Sequence, residues 1–248
     1  MHLGGFSLTK KRIWELDVLR GICILGMVVF HLIYDLTYLY AIVDWQLPPF
    51  LDLIQPLGGL VFLMLSGLCV TLGSRTLRRG LIVFGSGMLC TLVTWVMYRM
   101  DLLYYSDVIR FGVLHCLGAC MLLWPLLKKL PVWVPALLAA VLLPLGYWLD
   151  AHVTLMEIRW LFPLGLTHFT FASGDYYPLL PYMGWFLLGT VLGRTLYRKK
   201  ETLLPAVNEK NAVIRFFSFC GRQSLLIYLL HQPLLTGLME LLVLLTNS

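Results

Sequence analysis

Long apolar runs separated by short polar segments dominate the chain from residue 18 onward. A bilayer core about 30 Å thick is crossed by roughly 20 apolar residues that rise 1.5 Å each in a helix. Runs of about this length lie at 18–40, 53–73, 80–98, 111–127, 130–149, 178–197 and 219–245. The pattern predicts an all-α, polytopic membrane helix bundle of about seven spans. The loops are short, so we expect the whole chain, 1–248, to form a single integral membrane domain.

One uncharged segment, from Trp160 to Gly174, does not fit that count. It could form an eighth span, but a crossing there would carry the basic region 194–222 to the other side of the membrane. A re-entrant or interfacial segment within an outer loop at about 150–177 avoids that change of side. The sequence favours the second arrangement and leaves both open.

The basic residues set the orientation of the predicted bundle. Short cytoplasmic loops collect Lys and Arg, and with a cytoplasmic N-terminus and an outside C-terminus, 16 of the 19 lie on the cytoplasmic side. The three exceptions are Arg99, Arg110 and Arg159. This bias explains the net charge of +6 without a nucleic-acid partner. We therefore expect membrane lipid as the surroundings, in a bacterial inner (plasma) membrane.

Composition excludes several other classes of protein. The chain is 59% hydrophobic and 13% charged, whereas a soluble domain is about 45–50% apolar and about 25% charged. A water-soluble globular protein and a disordered chain are excluded. All six cysteines lie in apolar stretches, with no CxxC pair and no His at metal-ligand spacing. We therefore expect neither a disulfide framework nor a metal site.

The informative polar residues inside the predicted spans are His31, Tyr34 and Asp35 in the first, His115 in the fourth and His231 in the seventh. Counted at 1.5 Å per residue, the histidines lie roughly 20, 20–23 and 15 Å above the cytoplasmic face. Any one could be a core histidine bonded to a neighbouring helix. Three at similar depth, with Asp35 one turn beyond His31, favour a functional cavity. A neutral imidazole oriented by a carboxylate can act as a general base near pH 7.

Arginines at the cytoplasmic ends of the first and last spans are candidates for binding an anionic cofactor. Arg12, Arg20 and Arg222 lie there, and a guanidinium group can hold two phosphate oxygens at once. Asp17 and Arg20, three residues apart, are expected to form an ion pair across one helical turn. Membrane anchoring alone is the alternative reading for each arginine.

Four stretches resemble a known family. They are Arg12 with LDVLRG at 16–21 and MVVFH at 27–31, RFGVLHCLG at 110–118, DYYPLLP at 175–181, and GRQSLLIYLLH at 221–231. The first is similar to the first-span signature of transmembrane acyltransferases. The others resemble the catalytic domain of heparan-alpha-glucosaminide N-acetyltransferase and its short bacterial relatives, the DUF1624 group, which are related to the acyltransferase-3 superfamily. The matches extend from residue 12 to residue 231.

The resemblance implies acetyl transfer from cytoplasmic acetyl-CoA to a hydroxyl or amine of a glycan-type or other small acceptor outside. In the heparan enzyme an asparagine stands where His31 stands here, and the catalytic histidine follows shortly after it. No histidine lies between Leu32 and Asp52. We therefore expect His31 to be the base, as in the acyltransferase-3 family, assisted by Asp35 or His231.

The same reading assigns the remaining candidates. His115, Tyr228 or Gln232 would donate a hydrogen bond to the oxyanion, Asp175 and Tyr176 would hold the acceptor, and oligomerisation remains open. A small transporter or flippase with a His/Asp proton relay is the main alternative, although we see no inverted repeat that would favour it. A non-catalytic membrane subunit is a third possibility.

Overall fold

The computed structural model describes residues 12–45, 48, 50–152 and 159–246. Eight α-helices lie within these residues: α1 (Trp14–Tyr34), α2 (Phe50–Leu72), α3 (Thr76–Arg99), α4 (Val113–Leu127), α5 (Trp133–His152), α6 (Leu179–Thr195), α7 (Ala212–Arg222) and α8 (Ser224–Thr246). A π-helical turn, Asp35–Leu39, extends α1, and 3-10 turns occupy Tyr105–Asp107 and Arg159–Leu164. The part of the chain that the structure describes contains no strand beyond an isolated bridge between Phe111 and Tyr176. The predicted all-α membrane bundle is confirmed.

Each of the first six predicted spans coincides with a helix of the bundle. Four helices are long and apolar enough to cross a bilayer: Trp14–Leu39, Thr76–Arg99, Trp133–His152 and Ser224–Leu245. Pro56–Leu72 and Val113–Leu127 are shorter apolar helices. The outward faces of the long helices carry exposed leucines, for example Leu81 and Leu92 in α3 and Leu244 in α8. A helix that exposes apolar side chains in this way is suited to lipid rather than to water.

Glycines bring neighbouring helices into backbone contact. A Cβ at Gly67 of α2 would overlap the carbonyl of Phe186 in α6, and one at Gly118 of α4 would overlap the backbone of Phe84 in α3. Transmembrane helices associate through small residues because these allow close van der Waals packing without a hydrophobic driving force. The buried cluster around Leu63, Phe186 and Trp124 lies between these pairs of helices.

The predicted last span, 219–245, is two helices rather than one. Helix α7 ends at Arg222 and α8 begins at Ser224, and the N–H of Gln223 between them bonds to the carbonyls of Phe219 and Cys220. The hydropathy pattern does not predict α7, because it is an amphipathic helix within the basic region.

Helix α1 packs antiparallel against α7 and parallel to α8. Gly21 faces Gly221, Arg20 bonds to Ser224, the ring of His31 contacts that of His231, and the Tyr40 hydroxyl bonds to Glu240. The three contacts with α8 follow both helices in the same order, whereas the backbone contacts with α7, Asp17 with Gly221 and Gly21 with Phe217, follow the opposite order. We call this interface the α1–α8 seam, and the end of the bundle near Arg12 and Arg222 the basic end.

The segment from residue 160 to residue 174 forms no spanning helix. It consists of the 3-10 turn and irregular chain, and it packs against the loop between α3 and α4. The N–H of Arg110 donates to Ser173 Oγ at 3.1 Å, and the Arg110 guanidinium lies 5.5 Å from the centre of the Phe171 ring. The two loops form one layer, the loop layer, at the end of the bundle opposite the basic end.

Candidate functional site

Two of the three predicted histidines meet in the α1–α8 seam. The ring centroids of His31 and His231 lie 4.9 Å apart, with the rings tilted by 59°. Each side chain is only partly exposed. Arg20 and His31 are eleven residues apart, about three helical turns, so they share one face of α1. Ser224, Tyr228 and His231 likewise share one face of α8. The hydrogen bond between Arg20 and Ser224 and the ring contact between His31 and His231 therefore lie in the same interface.

The hydrogen bond of His231 fixes which ring nitrogen carries its proton. Nδ1 lies 2.6 Å from the carbonyl oxygen of Tyr228. A carbonyl only accepts, so Nδ1 must be the protonated nitrogen of the neutral ring. The lone pair of Nε2 is then available to take a proton. This tautomer, with a main-chain oxygen on the far nitrogen, is the arrangement that orients a histidine base.

Asp35 lies in the same region, one turn beyond His31, where α1 passes into its π-helical turn. Its side chain is 1% exposed, and its two oxygens accept from Gln232 Nε2 at 3.1 and 3.4 Å. Asp35 also interacts electrostatically with His231. π-Helical turns occur frequently at functional sites, and this one places a buried carboxylate beside the imidazole pair.

Tyr228, whose carbonyl binds His231, connects the seam to the loop layer through its hydroxyl. The Tyr228 hydroxyl donates to Asp175 Oδ2 at 2.9 Å, and the same oxygen accepts from the N–H of Val113 at 3.0 Å. The carboxylate therefore lies at the N-terminus of α4, where the helix dipole favours negative charge. Burial raises the pKa of Asp175, and the two hydrogen bonds partly offset that rise because they favour the ionised form.

Asp175 and Tyr176 face different partners, although they are neighbours in sequence. The hydroxyl of Tyr176 donates to the carbonyl of Phe162 at 2.6 Å, which ties the 3-10 turn to the loop layer. Burial raises the pKa of Tyr176, so the hydroxyl stays protonated and continues to donate. Asp175 reaches into the bundle instead, toward Tyr228.

His115 is separate from the other two histidines, so the predicted meeting of three imidazoles is wrong for this residue. It is 2% exposed, stacks on Phe111 and lies edge-on to Phe84. Its Nδ1 accepts from the N–H of Gly112 at 3.1 Å, so Nε2 carries the proton and donates to Thr91 Oγ1 at 3.2 Å. Both nitrogens are occupied, as in a core histidine that caps the start of α4.

The expected ion pair between Asp17 and Arg20 is also wrong. Asp17 pairs with Arg12, whose Nε lies 3.2 Å from Oδ2. Arg20 turns toward α8, where it donates to Ser224 Oγ at 2.8 Å, and its buried Nε has no partner among the described residues. The contact between α1 and α8 thus takes precedence over the local three-residue spacing.

A cleft of about 680 Å³ opens at the basic end between the start of α1 and α7. Three arginines, Arg12, Arg215 and Arg222, line it together with the aromatic residues Trp14, Phe216 and Phe219. The cleft therefore contains two of the three predicted cofactor-binding residues, Arg12 and Arg222, but not Arg20. Neither His31 nor His231 lines it.

Sequence reasoning missed three residues at this end. Arg215 and Ser218 lie on α7, which the hydropathy pattern did not predict, and Ser224 was noted only as part of a motif. Ser218 lines the cleft, and its buried hydroxyl has no partner within the described part of the chain. The spacing by three and four residues of Ile214, Phe217 and Gly221, which form the less exposed side of α7, was the signal that could have identified an amphipathic helix there.

Comparison with known families gives one match. The model of the family described as heparan-alpha-glucosaminide N-acetyltransferase, catalytic, matches residues 12–233. Comparisons with curated proteins and with solved structures give no match. The matched region runs from Arg12 in the basic cleft, through both histidines of the seam, to Pro233 just beyond His231. The resemblance seen in four sequence motifs is thereby confirmed, and the chain belongs to the heparan-alpha-glucosaminide N-acetyltransferase catalytic family.

Proposed function

We propose that the protein transfers an acetyl group from cytoplasmic acetyl-CoA to a hydroxyl or amine of a glycan-type acceptor on the other side of a bacterial plasma membrane. The observation that carries the proposal is the contact between His31 and His231, with rings 4.9 Å apart. The family match supports transfer chemistry at this pair. Membership in this family argues against the transporter alternative, because that hypothesis rests only on the presence of histidines and an aspartate inside the bundle.

The basic end supports the proposed acetyl-CoA site. Arg12, Arg215 and Arg222 supply guanidinium groups for phosphates, and Trp14, Phe216 and Phe219 supply ring faces suited to an adenine base. The Nε of Arg20 and the hydroxyl of Ser218, both buried without partners in the described chain, supply a donor and a hydroxyl for a polar ligand. These donors fit an anionic ligand, because a buried polar group without a partner is costly unless a ligand satisfies it.

The seam supports a route for the acyl arm. Arg20 and His31 lie on one face of α1, about 16 Å apart along the helix. The backbone contact of Gly21 with Phe217 closes the space between α1 and α7 above the cleft. The acyl arm would therefore follow the α8 side of α1, past Arg20, to reach the histidines.

The imidazole pair would perform the proton transfers. His231 Nε2 takes the proton from the acceptor O–H or N–H, and the freed oxygen or nitrogen attacks the thioester carbonyl. The C–S bond then breaks, and the coenzyme A thiolate takes a proton from the His231 imidazolium. His31, whose ring contacts that of His231, would be the second imidazole of the pair. Asp35 would stabilise the positive charge that forms transiently on the His231 imidazolium.

A turnover assay on detergent-purified protein tests the proposal. With acetyl-CoA as donor and glucosamine as probe acceptor, His231→Ala and His31→Ala should each lower coenzyme A release by about 10²-fold or more. His152→Ala is the matched control, because this histidine is exposed at the end of α5. All three variants should retain the thermal stabilisation that millimolar acetyl-CoA gives the parent protein. Full turnover in either seam variant, or no stabilisation of the parent protein, would contradict the proposal.

A further inference from the structure

Gln232 carries an unsatisfied hydrogen-bond acceptor inside the candidate site. Its Oε1 is buried and has no partner among the described residues, whereas its Nε2 donates to both oxygens of Asp35. Buried side-chain polar atoms normally have a partner, so an exception calls for an explanation such as a ligand. The oxygen belongs to the residue next to His231, on the helix that presents that imidazole to His31.

The orientation of the Gln232 amide follows from Asp35. A carboxylate only accepts hydrogen bonds, so it must face the NH₂ group of the amide and not its oxygen. Exchanging the amide nitrogen and oxygen would place Oε1 against a buried carboxylate with no proton between them. Asp35 therefore holds the NH₂ group and leaves Oε1 as the end of the side chain available to a ligand.

An available amide oxygen selects the chemistry of what it binds. It accepts from an N–H or O–H group, and it repels an oxyanion or a thioester carbonyl oxygen. The sequence-based assignment of Gln232 as a donor to the oxyanion did not include Asp35, which already accepts from Nε2, and the atom without a partner is the acceptor Oε1. The chemistry that fits is an amine or hydroxyl nucleophile beside His231.

We propose that Gln232 is an acceptor-binding residue, whose Oε1 takes a hydrogen bond from the attacking amine or hydroxyl group or from a hydroxyl adjacent to it. This inference rests on the proposed function and names the side chain that recognises the acceptor. Asp35 acts as a positioning residue, since it touches Gln232 and fixes the direction of the amide. The assignment also explains why a carboxylate that is 1% exposed is bonded to an amide instead of to a cation.

Steady-state kinetics of Gln232→Met test the assignment, with acetyl-CoA as donor and glucosamine, glucose and ethanolamine as probe acceptors. Methionine preserves the length of the side chain and removes the oxygen. The KM for the best probe should rise about five- to tenfold, the effect of one net hydrogen bond, while the KM for acetyl-CoA stays unchanged. Gln232→Asn, which retains a shorter amide, should fall between the parent protein and the methionine variant.

Gln223→Met is the matched control, because it makes the same exchange at an exposed glutamine between α7 and α8. The control should leave both KM values unchanged. An unchanged acceptor KM in Gln232→Met, or equal changes in the KM for donor and acceptor, would overturn the assignment and leave the proposed function intact. Failure of the parent protein itself to bind acetyl-CoA or to acetylate any probe would overturn the proposed function, and this inference with it.

Discussion

Two histidines of the bundle, His231 and His115, show how neighbouring atoms decide the role of a residue. His231 gives one nitrogen to a carbonyl and retains a free lone pair on the other. His115 uses one nitrogen to accept from Gly112 and the other to donate to Thr91. The side chains are chemically identical, yet only the first can take a proton without breaking an existing hydrogen bond. His115 therefore belongs to the framework that holds the start of α4.

Replacing His115 should damage stability and not chemistry. In His115→Ala the N–H of Gly112 loses its partner in a buried position, which costs about 1–3 kcal/mol of unfolding free energy before any cavity is counted. The melting temperature in detergent should fall, while turnover per folded molecule at low temperature stays near that of the parent protein. A variant that melts normally but loses turnover would instead place His115 in the reaction.

Sequence spacing predicted part of this residue-level picture. The one-turn spacing of His31 and Asp35 was sufficient to place both in one region of the first span, and the depth count correctly put His31 near His231. Depth alone cannot give the rotation of a helix about its axis, which is why His115 was grouped with them. Its true role had a local signal, because a side chain three residues after Gly112 can reach back to the N–H of that residue.

Among the helix pairs, α1 with α7 is the one that links the basic cleft to the seam. A Cβ at Gly221 would overlap the carbonyl oxygen of Asp17, and one at Gly21 would overlap that of Phe217. The two backbones therefore touch at the level where Asp17 pairs with Arg12, just below the bond from Arg20 to Ser224. Any separation of α1 from α7 would shift both arginines together.

Gly221→Ala should consequently weaken both the fold and donor binding. Overpacking against a backbone carbonyl costs about 1–3 kcal/mol, so the melting temperature should fall, and the stabilisation given by acetyl-CoA should decrease. Gly26→Ala is the matched control, since a Cβ there meets no atom within 4 Å. That control should be neutral or slightly stabilising, because alanine favours a helix over glycine. Equal behaviour of the two variants would contradict a role for the close contact.

The helices were predictable because lipid imposes long apolar runs, whereas the connections between them were not. The break at Gln223 lies in a polar stretch of only three residues, Arg222 to Ser224, which is too short to divide an apolar run into two. The bond from Asp175 to Val113 joins loops 62 residues apart, and no local pattern encodes such a pairing. The same limit applies to Arg12, which takes Asp17 as its partner once Arg20 is drawn to Ser224.

At the scale of the whole molecule, charge and chemistry are arranged along one axis. The arginine-lined cleft occupies one end of the bundle, the imidazole pair lies about 16 Å further along α1 from Arg20, and the loop layer covers the opposite end. A donor that carries phosphates and an acceptor that does not would approach such a site from opposite ends. The arrangement therefore suits transfer across a membrane better than transfer between two substrates on one side.

That axis has a direction that labelling can test. Because positively charged loops remain in the cytoplasm, Lys199→Cys at the basic end should react with a membrane-impermeant maleimide only after bacterial cells are permeabilised. Tyr104→Cys in the loop layer, where the parent side chain is 81% exposed, should react in intact cells. The parent protein, whose six cysteines are buried or partly buried, supplies the background signal. The opposite pattern would place the arginine cleft outside the cell, away from cytoplasmic acetyl-CoA, and would remove the physical basis for a donor site at that end.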